Sequence, residues 1–129
     1  MLHTPQTAYR QAAALTSTPS QLLIMLYDGC IRFIRAGIDG INERNIEKAN
    51  NNLVKAQSII YELIRTLDMK YPISEQLVRV YEYMIYQLVQ ANTKKSAANA
   101  EEVLAHVMEL REAWVIASGS GRAMPNDPG

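Results

Sequence analysis

Apolar residues recur at alternating steps of three and four in four separate stretches of the chain, and this spacing limits the fold more than any other feature. The clearest stretch lines one face of a single helix with Ile46, Ala49, Leu53, Ala56, Ile60, Leu63 and Leu67. This is the pattern of an amphipathic helix. No stretch alternates with the period of two that a half-buried strand requires. The sequence therefore predicts an all-α protein.

Residue types that start and stop helices divide the pattern into four elements. A candidate N-cap precedes each of them: Thr18, Asn45, Ser74 and Ser96. The predicted helices cover residues 19–43, 46–68, 75–92 and 97–118. Helices of this length with short links between them favour antiparallel neighbours. We therefore expect an antiparallel up-and-down four-helix bundle.

The two ends of the chain differ in composition from its middle. Residues 1–17 are polar and rich in alanine and threonine, which predicts a mobile N-terminal arm. Residues 118–129 are rich in glycine, serine and proline, which predicts a disordered tail. The bundle is assigned to residues 18–117 as one domain, because a chain of 129 residues can bury about two-thirds of its unfolded surface.

Charge and hydropathy exclude several classes of protein. The 13 basic residues balance the 13 acidic ones, whereas a nucleic-acid binder needs an excess of basic surface. The longest apolar run, residues 22–27, is far shorter than the roughly twenty residues that span a bilayer. The N-terminus lacks the pattern of a signal peptide. The sequence predicts a soluble cytoplasmic protein without nucleic-acid partners.

Catalytic and metal-binding patterns are not evident. Glu102 and His106 lie four residues apart on the fourth predicted helix, but they continue a polar stripe that is typical of a solvated face. Cys30 lies within an apolar run and is predicted to be a small buried hydrophobe. We therefore expect no enzyme, no cofactor and no metal site.

Three helices carry more apolar surface than a single packing stripe requires. A second stripe of the first helix comprises Tyr27, Ile31, Ile34, Ile38 and Ile41, and further apolar residues lie outside the inner stripes of the next two helices, among them Val54, Tyr61, Val78, Ile85 and Val89. These residues either complete a thick bundle or leave a groove that binds an amphipathic segment of a partner. The spacing alone does not separate these two alternatives.

Longer motifs are more specific. Residues 18–30, TPSQLLIMLYDGC, resemble the start of the flagellar secretion chaperones of the FliS family. The similarity continues through residues 46–68, through the Tyr-x-Tyr-Met motif at 81–84, and through Arg111-x-x-Trp114. Tyr9-x-Gln11 is similar to a short element near the N-terminus of the family. Residues 70–73 depart from the family, many members of which carry a glycine pair at this link.

The resemblance implies a four-helix bundle that binds the C-terminal segment of flagellin in the cytoplasm. It implies that the bundle prevents premature polymerisation and delivers flagellin to an export-gate protein at the membrane. By matching position, the expected flagellin contacts are Tyr27, Ile31, Ile34, Asn50, Val54, Lys55, Tyr61, Val78, Tyr81 and Ile85.

The interpretation leaves two roles open for Asn50 and Lys55, assigns one to Tyr9 and has one alternative. Asn50 and Lys55 either form hydrogen bonds with the partner or are simply solvated. Tyr9 and its neighbours are expected to fold over the empty groove. The alternative function is a self-associating helical protein that uses the same apolar stripes to form a homodimer and does not bind flagellin.

Overall fold

A computed structural model describes residues 19–119 of the chain and the side chains of residues 21–117. Four α-helices and no strand lie within that range: α1 Pro19–Asn42, α2 Ile46–Arg65, α3 Pro72–Lys94 and α4 Ala97–Gly119. The all-α prediction is therefore confirmed. None of these helices combines the length and the hydropathy that crossing a bilayer requires.

The helices form a ring in which each helix packs against two others. Contacts join α1 to α2, α2 to α3, α3 to α4 and α4 back to α1. The intervening links at residues 43–45, 66–71 and 95–96 are short, so successive helices run in opposite directions. This arrangement is the predicted antiparallel up-and-down bundle.

One core fills the centre of the ring. It receives large buried side chains from every helix, among them Leu26, Ile34, Leu53, Leu63, Met84, Leu88, Val103 and Val107. The inner stripes predicted from the sequence therefore face this core, and Phe33, Leu67, Leu77, Leu110 and Trp114 are only partly buried against it. Ile46 is 68% exposed, because it lies in the first turn of α2 at the end of the bundle.

Two glycines of α1 allow a close approach to α2. A Cβ atom on Gly37 would lie 2.6 Å from the Cδ2 atom of Leu53, and one on Gly40 would lie 2.5 Å from the backbone nitrogen of Ala49. Both distances are shorter than a van der Waals contact. Glycine is therefore required at position 40, where the backbones of α1 and α2 come together, and at position 37 it leaves room for the side chain of Leu53, which explains why α1 accepts these residues of low helix propensity.

The observed starts of α1 at Pro19, α2 after Asn45 and α4 at Ala97 agree with the predictions, and the ends beside the α2–α3 link differ. The side chain of Asn45 accepts a hydrogen bond of 3.0 Å from the backbone nitrogen of Lys48 and thereby caps α2. The prediction that Ser74 caps the third helix was wrong. Tyr71 occupies the N-cap, and α3 begins at Pro72, whose fixed φ suits the first helical position.

The last turn predicted for the second helix is also absent. The helix ends at Arg65 instead of Asp68, and the hydroxyl of Thr66 donates a 2.7 Å hydrogen bond to the carbonyl of Leu63. Ser74 is buried, and its hydroxyl donates to the carbonyl of Asp68 at 2.6 Å. These side chains hold the α2–α3 link in a compact turn.

Candidate functional site

Two stripes that combine apolar and polar side chains lie side by side along α2 and α3. On α2 the stripe contains Asn50, Val54, Gln57 and Tyr61, and on α3 it contains Val78, Glu82, Ile85 and Val89. Both follow the same helical spacing of four, three and four residues, so each stripe lies on one side of its helix. We refer to these residues as the α2–α3 face.

On each helix, the flank that packs against α1 or α4 lies on the side away from the α2–α3 face. The other flank of α2 lies on α1, where Lys55 sits over the ring of Phe33 with its Nζ atom 5.5 Å from the centroid. The other flank of α3 lies on α4, where the hydroxyl of Tyr83 donates to Glu102 at 2.6 Å and Asn99 donates to Gln87 at 2.6 Å. The two stripes therefore border the space between α2 and α3.

A pair of amides closes one end of the α2–α3 face. The Nδ2 atom of Asn92, one turn beyond Val89, donates a 2.8 Å hydrogen bond to the Oδ1 atom of Asn50. Asn50 lies near the start of α2 and Asn92 near the end of α3, as antiparallel helices require. The amide of Asn50 retains its own N–H donors.

The exposure of this face is unusual for its composition. Val54 is 45% exposed, Tyr61 55% and Val89 40%, while Val78 is half-buried and Ile85 is buried at the base. Tyr86, at the edge of the face, is also exposed. Apolar side chains that project at helical spacing along two adjacent helices suit an amphipathic helix that lies between them.

Five of the residues predicted to contact the partner are buried: Ile85 at the base of the α2–α3 face, and Tyr27, Ile31, Ile34 and Tyr81 inside the bundle. Tyr27 and Ile34 are fully buried, and Ile31 and Tyr81 are nearly so. They belong to the core in which α1, α3 and α4 meet. In this conformation a partner reaches none of these four directly, and Asn50, Val54, Tyr61 and Val78 are the accessible members of the predicted set on the α2–α3 face.

The buried aromatic residues form a hydrogen-bonded chain across the core. The hydroxyl oxygens of Tyr27 and Tyr81 are 2.5 Å apart, and the Nε1 atom of Trp114 donates to the Tyr27 hydroxyl at 2.8 Å. Burial raises the pKa of both tyrosines, and in Tyr81 the neighbouring Tyr27 adds to this effect. The hydroxyls therefore remain protonated, and the chain links α1, α3 and α4 as a structural element.

The two remaining predicted residues lie elsewhere. Lys55 is exposed on the flank of α2 that faces α1, so it does not belong to the α2–α3 face. Tyr9, with the rest of the predicted arm, lies outside the described residues.

The end of the bundle beside the α2–α3 link carries apolar surface that the sequence analysis did not single out. Met69 is 57% exposed and Ile73 52%. Ile73 lines a small pocket of about 30 Å³ together with Leu23, Leu67, Tyr71, Leu77 and Trp114. In the sequence, this apolar surface was signalled by the Tyr71-Pro72 break in the helical pattern, because links between helices seldom contain large apolar residues.

The described side chains offer little for catalysis. Residues 21–117 contain no group of three or more histidine, cysteine or acidic side chains that could hold a metal ion. His106 lies 3.7 Å from both Glu102 and Glu109 on the surface of α4. Cys30 is fully buried, as predicted, and burial raises the pKa of its thiol to about 12. A protonated, inaccessible thiol is a poor nucleophile.

The raised pKa of Cys30 predicts a pH dependence of stability. The folded protein retains the thiol proton up to pH 12 or so, whereas the unfolded chain releases it near the usual pKa of 9. Above pH 9 the unfolded chain binds fewer protons than the folded protein. The free energy of unfolding therefore falls by about 1.4 kcal/mol per pH unit. In denaturant titrations, we expect the free energy of unfolding of wild type to fall at this rate relative to that of Cys30→Ala as the pH rises from about 9 to 10.5. Parallel curves for the two proteins would contradict the burial of an ionisable thiol.

Comparison with known proteins gives a consistent result. The family model described as flagellar protein FliS matches residues 1–120. The flagellar secretion chaperone FliS of Bacillus subtilis is 41% identical over 94% of this chain and 91% of its own length. Proteins of the same name from Escherichia coli and Campylobacter jejuni are each 31% identical, over 81% and 83% of this chain and 79% and 85% of their own lengths. With the four-helix bundle and its long match to these relatives, the chain belongs to the FliS family of flagellar secretion chaperones.

Proposed function

We propose that this protein is a cytoplasmic export chaperone for flagellin. It binds the C-terminal segment of flagellin, prevents premature polymerisation and delivers the subunit to an export-gate protein at the membrane. The observation that supports this proposal is the α2–α3 face, where Val54, Tyr61 and Val89 expose apolar surface at helical spacing. Family membership indicates the class of cargo.

The chemistry of the α2–α3 face fits a segment that folds when it binds. A disordered amphipathic segment pays conformational entropy on ordering, so it needs a long apolar contact to bind well. Val54 and Tyr61 on one side and Val78 and Val89 on the other offer such a contact over several helical turns. Glu82 lies within the face and can pair with a cation on the partner.

The predicted contact residues take different parts in this proposal. Asn50, Val54, Tyr61 and Val78 contact the partner directly, with Ile85 forming the floor between the helices. The buried residues, Tyr27, Ile31, Ile34 and Tyr81, fix the positions of the helices beneath. Lys55 contacts only a partner that extends around α2 onto α1.

The arm around Tyr9 is the proposed cover of the empty chaperone. It precedes Pro19, and Leu23 in the next turn of α1 lines the apolar pocket beside the α2–α3 link. An arm that folds back from Pro19 therefore reaches this pocket first. Covering it would reduce the aggregation tendency of exposed apolar surface.

Isothermal titration calorimetry tests the central proposal. Full-length flagellin should bind with one-to-one stoichiometry, and flagellin without its C-terminal segment should give no heat of binding. Binding of the truncated flagellin with undiminished affinity would overturn the assignment of the C-terminal segment as cargo.

A second candidate function is self-association through the same face. The exposure of Tyr61, Val54 and Val89 favours it, because apolar patches on one copy can pack against those of another. Sedimentation velocity separates the two candidates. A stable dimer that excess flagellin fails to dissociate supports self-association, whereas conversion to a one-to-one complex supports the chaperone.

A further inference from the structure

A cavity of about 370 Å³ lies at the end of the bundle where α1 turns into α2. Its lining consists of Gly40, Ile41, Arg44, Asn45, Ile46, Ala49 and Lys95. This volume is within the range of about 300 to 1,000 Å³ that small-ligand sites have. One wall is apolar, and two cationic residues stand beside it.

The positive charge of the cavity is not neutralised by acidic neighbours. The ammonium of Lys95 donates to the carbonyl of Asn92 at 2.8 Å, and this acceptor is neutral. Within residues 21–117, no acidic side chain pairs with Arg44. The acidic side chain of Glu43 is paired with Lys48 at 3.2 Å, and the lining itself contains no acid.

Two helix C-termini and the N-terminus of α2 meet at this cavity, so its preference for an anion depends on the two cationic side chains and not on the helix dipoles. Arg44 and Lys95 adopt left-handed conformations, with φ of 58° and 52°, which end α1 and α3 beside the cavity. The carbonyl of Gly40 accepts from the nitrogen of Asn45, and that of Ala91 accepts from Ser96, so carbonyls at both helix ends are satisfied. The partial positive charge at the N-terminus of α2 is opposed by the partial negative charge of the two C-termini.

The cavity continues the α2–α3 face. Ile46, which lines it and is 68% exposed, precedes Asn50 by one turn of α2. Lys95 contacts Asn92, and Asn92 contacts Asn50. A segment bound along the face from Tyr61 toward Asn50 therefore ends at the cavity.

We propose that this cavity binds the C-terminal carboxylate of the flagellin segment. The inference rests on the proposed function and adds a direction to it. The terminal residue of a peptide carries a carboxylate and a side chain on the same Cα atom. The cavity matches this pair, because its cations can bind the carboxylate while the apolar wall of Ile41, Ile46 and Ala49 contacts the side chain. The bound segment then runs antiparallel to α2, with its last residue against Arg44 and Lys95.

The test compares two synthetic peptides of the flagellin C-terminal segment, one with a free carboxylate and one with a terminal amide. Calorimetry with the full chaperone should show about tenfold weaker binding of the amide, because charge-assisted hydrogen bonds to the carboxylate are lost. Lys95→Asn and Arg44→Asn should each reduce this difference, since asparagine tolerates left-handed φ and carries no charge. Lys70→Asn, at the opposite end of the bundle, should leave it unchanged.

Each outcome has one meaning. Equal, tight binding of both peptides to wild type overturns the inference and leaves the proposed function intact. Binding of neither peptide overturns the proposed function and the inference with it. A preference for the free carboxylate that survives both Lys95→Asn and Arg44→Asn overturns the assignment to this cavity.

Discussion

Replacing Gly40 by alanine is expected to lower the midpoint of thermal unfolding by about 12 °C, the equivalent of about 3 kcal/mol in a chain of this size. The new Cβ atom would stand 2.5 Å from the nitrogen and 2.9 Å from the Cα of Ala49, and 3.1 Å from the carbonyl carbon of Lys48. All three are backbone atoms of α2, which no rotamer change can move. The two helices must separate, and the core contacts that depend on their closeness weaken with them. Calorimetric or spectroscopic melting measures the effect.

Gly29 is the matched control on the same helix. A Cβ atom there would meet the Cδ1 atom of Ile59 at 3.1 Å, and this is the flexible end of a side chain. Alanine in a helix interior is favoured over glycine by about 1 kcal/mol, so Gly29→Ala should be neutral or stabilising. Gly37→Ala should be intermediate, because it presses on the side chain of Leu53. Equal melting of Gly40→Ala and wild type would mean that α1 and α2 do not approach as closely as described.

The fold follows from local features of the sequence. The stripe from Ala49 to Leu63 is buried in α2, and Asn45 caps that helix, because both depend only on residues within a few positions of each other. The helix ends at Thr66 and Pro72 were harder to place. There the turn is held by side-chain hydrogen bonds such as Ser74 to Asp68, which join residues in different elements.

How closely a helix packs on its neighbours was not predictable from its own pattern. The second stripe of α1, with Tyr27, Ile31 and Ile34, is buried because α1 packs closely on both α2 and α4, whereas α2 and α3 pack less closely on each other. The extra apolar residues of α2 and α3, such as Val54 and Val89, remain exposed. The spacing is the same in the two cases, and only the packing of the bundle distinguishes them.

The cationic cavity was also hidden from sequence reasoning. Ile46 continues the buried stripe of α2 by spacing, and Arg44 and Lys95 are far apart in the chain. Their proximity depends on left-handed turns at two residues that carry side chains, a conformation that is uncommon outside glycine and asparagine. Tertiary structure alone brings these residues together.

Aspartate at Tyr61 is expected to weaken flagellin binding about 100-fold without unfolding the bundle. Tyr61 is 55% exposed at the end of the α2 stripe nearest the α2–α3 link, so its loss costs the free protein little. In the complex, the substitution removes an aromatic anchor and places a charge against apolar side chains of the partner, which together cost about 2.7 kcal/mol or more. Val54→Asp, two positions away in the α2 stripe, should weaken binding by a smaller factor because valine buries less surface.

Met25→Asp is the control for Val54→Asp, because both side chains are 45% exposed in helix interiors and Met25 lies on α1, away from the α2–α3 face. Calorimetry should give Met25→Asp the affinity of wild type, while circular dichroism and melting show that all three variants keep their helices. Equal weakening by Met25→Asp and Val54→Asp would indicate a general effect of surface charge on binding. Wild-type affinity in Tyr61→Asp would place the bound segment on another surface of the bundle, since a charge within an apolar contact cannot be accommodated without cost.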